Sequence, residues 1–189
     1  MSGAVAGADG RLRCPWALSA PEYVDYHDQE WGCPVADDRA MFERLSLEAF
    51  QSGLSWLIIL RKREYFRAAF DRFDPAAVAS YDDRDVQRLL GDPGIVRNRA
   101  KVEATIANAR AALELPGGLL AHVQGFAPSR PERAPKKLGD VRAQSPESQA
   151  LAKDLRKRGF KFVGPTTLYA LMQATGLVDD HLADCWRRA

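Results

Sequence analysis

Apolar and polar positions follow a helical period along most of this chain. Pro21 suits a first helical position and opens a helix over residues 22–30, where Tyr23, Tyr26, His27 and Glu30 share one face at i, i+3, i+4 and i+7. Asp37 or Asp38 is placed to cap a second helix running to about Ser52, with Met41, Leu45, Glu48 and Ser52 in register along its apolar stripe. Gly53 ends that helix, and Ser55 can cap a third that reaches about Arg72. Asp74-Pro75 is a cap followed by a first turn. Shorter helical segments continue to Leu90, and the Gly-Asp-Pro-Gly run at 91–94 makes a turn. A long helix over 96–115 is terminated by Pro116-Gly117-Gly118. Ser145-Pro146-Glu147 starts another that Gly159 stops, and a last pair covers 165–175 and the stretch from Asp179 or Asp180 to the end. Only residues 57–60 compete as a strand, and their flanks favour helix. The predicted class is all-α, with no internal repeat.

Length and composition narrow this picture. A chain of 189 residues can bury a sizeable core as one domain. That domain is expected over 11–189, after a flexible lead-in at 1–10 that lacks the charge and apolar run of a signal peptide. The Pro-rich segment 128–146 reads as a surface loop, because both flanks are helical. No apolar run approaches the roughly 18–20 residues that cross a membrane. Three cysteines, an odd number, argue against a disulfide framework and for a reducing cytoplasm. Net charge is only +2, but the basic residues cluster. Arg61, Lys62, Arg63, Arg67 and Arg72 form one group, and Lys153, Arg156, Lys157, Arg158 and Lys161 form another. Such groups can track phosphates, or can simply be solvated helix faces.

The two ends of the chain carry matching metal-binding residue types. Cys14 and His27 stand near the start, and His181 and Cys185 lie four residues apart near the end. On a helix the latter pair would face one way. Together the four make a Cys₂His₂ set, the closed tetrahedral kind that holds a structural zinc ion and would clasp the termini together. Small buried cysteines and ordinary histidines are the alternative, and the twelve residues between Cys14 and His27 exceed a tight zinc-finger knuckle.

Glu48 is the most unusual single side chain, a carboxylate on an apolar stripe. Such a group needs donors or stays partly protonated. Aromatic residues surround it in sequence: Trp16, Tyr23, Tyr26 and Trp31 before it, and Trp56 after it. Aromatic walls with one carboxylate describe a site for a planar, electron-poor heterocycle such as a nucleobase. The run Gly159-Phe160-Lys161-Phe162-Val163-Gly164 reads as a hairpin before a helix N-terminus, whose N–H groups can bind a phosphate. A plain glycine-capped turn is the competing reading.

Several segments, in order, resemble those of the DNA-3-methyladenine glycosylase I family. They are Arg13-Cys14-Pro15-Trp16, Tyr26-His27-Asp28-Gln29-Glu30-Trp31-Gly32, Leu47-Glu48, Ser52-Gly53-Leu54-Ser55-Trp56, Phe73-Asp74-Pro75, the run from Arg156 to Gly164, and His181-Leu182-Ala183-Asp184-Cys185. The resemblance spans nearly the whole chain from Cys14 to Cys185 and is weakest in the Pro-rich stretch. It implies a helix-hairpin-helix glycosylase fold, acting as a monomer on double-stranded alkylated DNA and hydrolysing the N-glycosidic bond of 3-methyladenine. It further implies one structural zinc on Cys14, His27, His181 and Cys185. Glu48 would read the base edge, with Tyr26 and Trp56 stacking on the base and Trp16, Tyr23 and Trp31 lining the pocket. Cys33 matches no ligand position. Lys161, Val163 and Gly164 would meet the DNA backbone, while Leu54 is either a wedge that fills the gap left by a flipped nucleotide or part of the core. Asp179 stands where related enzymes place a catalytic Asp. It either assists the transition state or caps the last helix, and the cap is favoured. Thr166 stands where bifunctional relatives carry a Schiff-base lysine, which implies an enzyme without strand cleavage. A non-catalytic zinc-stabilised DNA-binding module shares all of this except the need for Glu48 among aromatics. A zinc hydrolase of free purines would need an open metal position.

Overall fold

The computed structural model describes residues 3–130 and 133–188. Among them, nine α-helices follow a short antiparallel hairpin: β1 (Val5–Ala6), β2 (Leu12–Arg13), α1 (Pro21–Gln29), α2 (Asp38–Gln51), α3 (Trp56–Ala69), α4 (Pro75–Ala79), α5 (Asp83–Gly91), α6 (Arg99–Leu113), α7 (Gly118–Gln124), α8 (Pro146–Lys157) and α9 (Pro165–Ala174). The caps lie where short polar side chains permit them. Asp37 accepts from the Ala40 N–H at 2.8 Å, Asp74 from Ala76 at 2.9 Å, and Asn98 from Lys101 at 3.1 Å, each satisfying a helix-start donor.

α2 is the central helix. It packs against α3, α6, α7 and α9 and buries Met41, Phe42, Leu45, Leu47 and Phe50. A ring cluster joins it to α3 and the following turn: Phe70 lies 5.8 Å from Phe50, 6.2 Å from Phe66, 5.5 Å from Phe73 and 6.4 Å from Tyr81, centroid to centroid. To bring Phe73 back under Phe70, the chain ends α3 at Ala69 and takes Asp71, Arg72 and Phe73 through the left-handed region, with φ of 48°, 53° and 57°. That conformation is costly for non-glycine residues. Here it is held by Arg39, which donates to the carbonyls of Asp71 and Arg72, and by Tyr81, which donates to the Asp71 carboxylate. The helix predicted to reach Arg72 therefore stops three residues early.

Two further expectations are corrected. The lead-in at 1–10 was expected to be flexible; residues 1–2 lie outside the described residues, but in the remainder Val5 pairs with Arg13 and Ala6 with Leu12. Gly10 turns the hairpin at φ 79°, and Arg13 is sandwiched between Asp9 and Asp28. Residues 118–124 form a further helix, α7, to which the sequence reading assigns no element. Gly117 and Gly118, at φ 79° and 88°, follow the end of α6 and open α7, whose first turn is capped by Asp38 from α2, its carboxylate accepting from Leu120 N at 2.8 Å. Finally, no helix forms after residue 178; the described residues there run as turns. The Pro-rich stretch carries no α-helix among its described residues before Ser145, and its Pro135 carbonyl accepts from Ala183 N at 2.8 Å.

Phe70→Ala is expected to cost about 3–5 kcal/mol of stability, as for other fully buried Phe truncations, because it strips the ring that four neighbours share. Urea unfolding monitored by circular dichroism measures it, and a loss under about 1 kcal/mol would show that the cluster collapses to fill the space.

Candidate active site and metal centre

The 3-10 turn Pro15–Leu18, the N-terminal helices and α9 converge on a cavity of about 310 Å³. Its lining comprises Trp16, Tyr23, Tyr26, Trp31, Glu48, Gln51, Trp56, Ala170 and Gln173. All five aromatic residues singled out from sequence are thus brought together around Glu48. Their faces are fixed by one another: Trp16 meets Tyr23 edge-on at 5.7 Å and Trp31 edge-on at 5.1 Å, and Tyr26 leans on Trp56 at 5.4 Å. Edge-to-face contacts of this kind are mutually stabilising and orient the ring faces.

Glu48 is 6% exposed, and its side chain makes no hydrogen bond among the described residues. Burial pushes its pKa from 4.5 up to about 8, against a weaker pull from the Arg44 guanidinium. Arg44 is itself engaged by Glu30, at 2.8 Å, and Glu30 also takes both amino groups of Arg63. The nearest cation is therefore largely neutralised elsewhere. Tyr26 has its phenol pushed up by burial and then by Glu48. A carboxylate held this way in a dry aromatic pocket favours the binding of a cation, whose arrival restores the charged form.

Behind the aromatic wall lies a cluster of metal-ligand types. Cys14, His27 and Cys185 offer atoms that all lie within 4.8 Å of one another, and all three are buried. Such a group could hold a metal ion. Cys185 Sγ sits 3.4 Å from His27 Nε2, and Leu182 N donates to Cys14 Sγ at 3.4 Å. The two thiols share a hydrogen bond that, with His27, favours the thiolate at Cys185 and the protonated form at Cys14. His181 lies outside that trio, with its ring centroid 5.1 Å from that of His27. Its Nε2 is buried and has no partner among the described residues. Both imidazoles have Nδ1 on a carboxylate, His27 on Asp28 and His181 on Asp179, each at 2.8 Å. This leaves the His27 Nε2 on Cys185 Sγ and the His181 Nε2 unpaired, and a carboxylate on the far ring nitrogen is the usual way of orienting a histidine toward a metal. The helical i,i+4 geometry expected for His181 and Cys185 is absent, and a turn brings them in instead. Gly32, at φ 79°, lets that turn approach: a Cβ there would sit 2.8 Å from the His181 ring.

The cluster and the cavity share a wall. Trp16 meets His27 at 5.3 Å, and Trp31 meets His181 at 4.5 Å. Asp179 stands apart from the cavity. It faces a separate cleft with Pro128, Arg130 and Arg188, and it takes the His181 N–H, the His181 ring and Arg188 Nε at 3.2 Å. Burial acts to raise its pKa, but the His181 hydrogen bonds and the Arg188 charge outweigh this and keep it low. With no terminal helix, Asp179 caps nothing, contrary to the expectation from sequence.

The expected DNA contacts are spread over two turns. Leu54, on the turn opened by Gly53 at φ 81°, is half-buried and packs against the main core. The turn is pinned by Gln51, which donates to the Leu54 carbonyl at 2.7 Å, and by the buried ammonium of Lys101, which donates to the carbonyls of Phe50 and Ser52 at 2.8 and 2.6 Å. In the hairpin, the Lys161 N–H donates inward to Asn108 Oδ1 at 2.7 Å and the Lys161 carbonyl accepts from Asn108 Nδ2 at 3.0 Å. Only the exposed side chain of Lys161 is thus directed outward, and the side chain of Val163 is buried in the core. Gly164 stands at the N-cap of α9. The sequence reading missed Gln51, Lys101, Asn108, Ala170 and Gln173. Lys101, Thr105, Asn108 and Ala112 fall at i, i+4, i+7 and i+11 on the buried stripe of α6, a spacing that could have flagged Lys101 and Asn108.

The family described as methyladenine glycosylase matches residues 16–188. DNA-3-methyladenine glycosylase 1 of Escherichia coli (strain K12) is 45% identical over 177 residues, which span 92% of this chain and 95% of that protein. DNA-3-methyladenine glycosylase of Haemophilus influenzae is 44% identical over 178 residues, spanning 92% and 96%. Among solved structures, a crystal structure of 3-methyladenine DNA glycosylase I superposes with a TM-score of 0.89 at 45% identity, covering 94% of this chain and 100% of that one. The Staphylococcus aureus enzyme, solved to explain 3-methyladenine recognition, gives 0.87 at 36% identity, covering 92% and 95%.

Glu48 leaves a signature in stability. Its folded pKa, about 8, lies above the ordinary 4.5. The fold accommodates the protonated form, so this contribution is complete below pH 4.5 and is lost as pH rises through 8. Glu48→Gln removes that loss. The melting temperature of the variant minus that of the wild type should climb between pH 6 and 9, and a flat difference across this window would show that Glu48 is not buried as a lone acid.

Proposed function

Because this chain belongs to the methyladenine glycosylase family, we propose that it is a monofunctional repair enzyme that hydrolyses the N-glycosidic bond of 3-methyladenine in alkylated double-stranded DNA. The observation that carries the reading is a buried carboxylate without a hydrogen-bonding partner, enclosed by five aromatic side chains. Methylation at N3 leaves a delocalised positive charge on the adenine. A cationic ring gains from the electron-rich faces of Tyr26 and Trp56 and from Glu48, which gives up its proton as the cation enters. Neutral adenine gains much less from the same contacts, so selection is written into charge as well as shape.

The chemistry asked of the protein is modest. The C1′–N9 bond breaks with its electron pair moving to the base, which leaves as neutral 3-methyladenine. Water adds to the oxocarbenium-like sugar and releases a proton, giving an abasic site. Glu48 stabilises the charged base and reads its edge, and Trp16, Tyr23 and Trp31 close the pocket against water. Leu54 fills the gap left by the flipped nucleotide. The Lys161 side chain and the backbone at Val163 and Gly164 hold the DNA backbone. Asp179 serves as the carboxylate that orients His181, since its oxygens are occupied there.

Cys14, His27, His181 and Cys185 are the proposed ligands of one structural zinc ion. The unpartnered Nε2 of His181 and the two carboxylate-held Nδ1 atoms support that assignment. A filled Cys₂His₂ set supplies cross-linking, not a reacting centre. The cavity is complete within one chain, which supports action as a monomer. Among the described residues no helix is long and apolar enough to cross a membrane, and the free thiols of Cys14, Cys33 and Cys185 suit the reducing cytoplasm.

Incubation with methylated DNA should release free 3-methyladenine, detected by chromatography. Release by Glu48→Gln should be slower by roughly 10- to 100-fold, the worth of about 1.5–3 kcal/mol for a hydrogen bond to a charged group. Tight binding without release by the wild type would instead identify a non-catalytic DNA-binding module. Elemental analysis should find one zinc per chain, and chelation should lower the melting temperature together with excision. A zinc-free protein of full stability would remove the clasp from the account.

A further inference from the structure

Two buried groups beside the cavity take no part in that chemistry. Tyr169 is 2% exposed and Asp180 is 8% exposed. The Tyr169 hydroxyl donates to Asp180 Oδ2 at 2.8 Å, and Gln173 Nε2 donates to the same oxygen at 2.8 Å. Of the three, Gln173 is the one that lines the base cavity, one turn after the small Ala170 on α9. A carboxylate accepts hydrogen bonds and does not donate them. Its presence therefore fixes which way round the Gln173 amide sits: the NH₂ turns to Asp180, and the carbonyl oxygen is the polar atom left to the cavity. Without such a partner a glutamine amide presents donor or acceptor at will.

We propose that Gln173 is a specificity-determining residue whose amide oxygen, oriented by Asp180, accepts an N–H from the exocyclic amine of 3-methyladenine. This rests on the reading of the cavity as a 3-methyladenine site. The same oxygen opposes 3-methylguanine, which carries a carbonyl oxygen at that ring position. Two acceptors, Glu48 and Gln173, then face the base, and neither can donate to a 6-oxo purine while Glu48 is ionised. A site built to accept from an amine rejects the analogue without it, because two oxygens are pressed together in a dry pocket. Asp180 and Tyr169 are positioning residues in this scheme. They touch Gln173 or its anchor, not the base.

DNA treated with dimethyl sulfate contains both 3-methyladenine and 3-methylguanine, so one substrate reports both rates under single-turnover conditions. Gln173→Met should slow 3-methyladenine release roughly tenfold, the usual effect of one hydrogen bond, while 3-methylguanine, freed of the opposing oxygen, is released no more slowly than by the wild type. Asp180→Asn puts a group that both donates and accepts opposite Gln173, so the amide can turn over. The ratio of 3-methylguanine to 3-methyladenine release should rise by a similar factor. Zinc content and melting temperature are measured for each variant, and if Asp180→Asn fails to fold, Gln173→Met decides alone. Equal slowing of both lesions, or an unchanged ratio, in folded Gln173→Met overturns the proposal and leaves only a packing role. A wild-type protein that releases neither base sinks the underlying functional reading, a result distinct from an unchanged ratio.

Discussion

The structure depends on the meeting of the chain's two ends. Cys14 and His27 come from the first turns, and Cys185 and His181 from the last, and they meet in a buried cluster. Around it the same join is repeated in ordinary hydrogen bonds: Ala4 N to Asp184, Trp186 N to the Leu12 carbonyl, and Leu182 N to Cys14 Sγ. Closing a loop of this length is entropically expensive, and several concerted contacts offset the cost where one would not. The wall of the base cavity is built on that join, since Trp16 and Trp31 rest on the two imidazoles. Loosening the ends would tilt the aromatic faces before it touched the main core.

Charge is managed in the opposite way on the two sides of that wall. On the side of the Cys/His cluster the carboxylates beside the imidazoles are committed: Asp28 to Arg13 and His27, Asp179 to His181 and Arg188. On the cavity side Glu48 is left alone, and Arg44, the cation that could neutralise it, is held by Glu30. An isolated buried acid is a standing cost to the fold, and in the proposed function that cost is recovered when a positively charged base arrives. The modest demands of the reaction fit this economy of groups, because a cationic purine is already a good leaving group.

Much of this was legible in the chain. Caps at Asp37, Asp74 and Ser145 placed helix starts to within a residue or so, since an N-cap is a local hydrogen bond, and Ser55 marks the start of α3 without making one. The apolar register of Glu48 and the nearby aromatics marked the cavity correctly. What failed depended on distant partners. α7 is capped by Asp38 on another helix, and the lead-in is ordered by Arg13 lying between Asp9 and Asp28. The expected terminal helix was drawn from spacing alone, whereas the carboxylate of Asp179 turns back onto His181 and the chain stays in turns. Gln51 and Gln173 are uncharged, so nothing in pattern or composition singled them out.

Helix α6 fixes the spacing of two surface turns. Lys101 grips the turn that bears Leu54, and Asn108 grips the hairpin at 159–164. Seven residues of one helix separate them, about 10 Å of axial rise. The span from one turn to the other is thus gauged by a rigid interior rod instead of by the surface loops themselves. Sequence drift can reshape either loop tip while the interval between them stays constant.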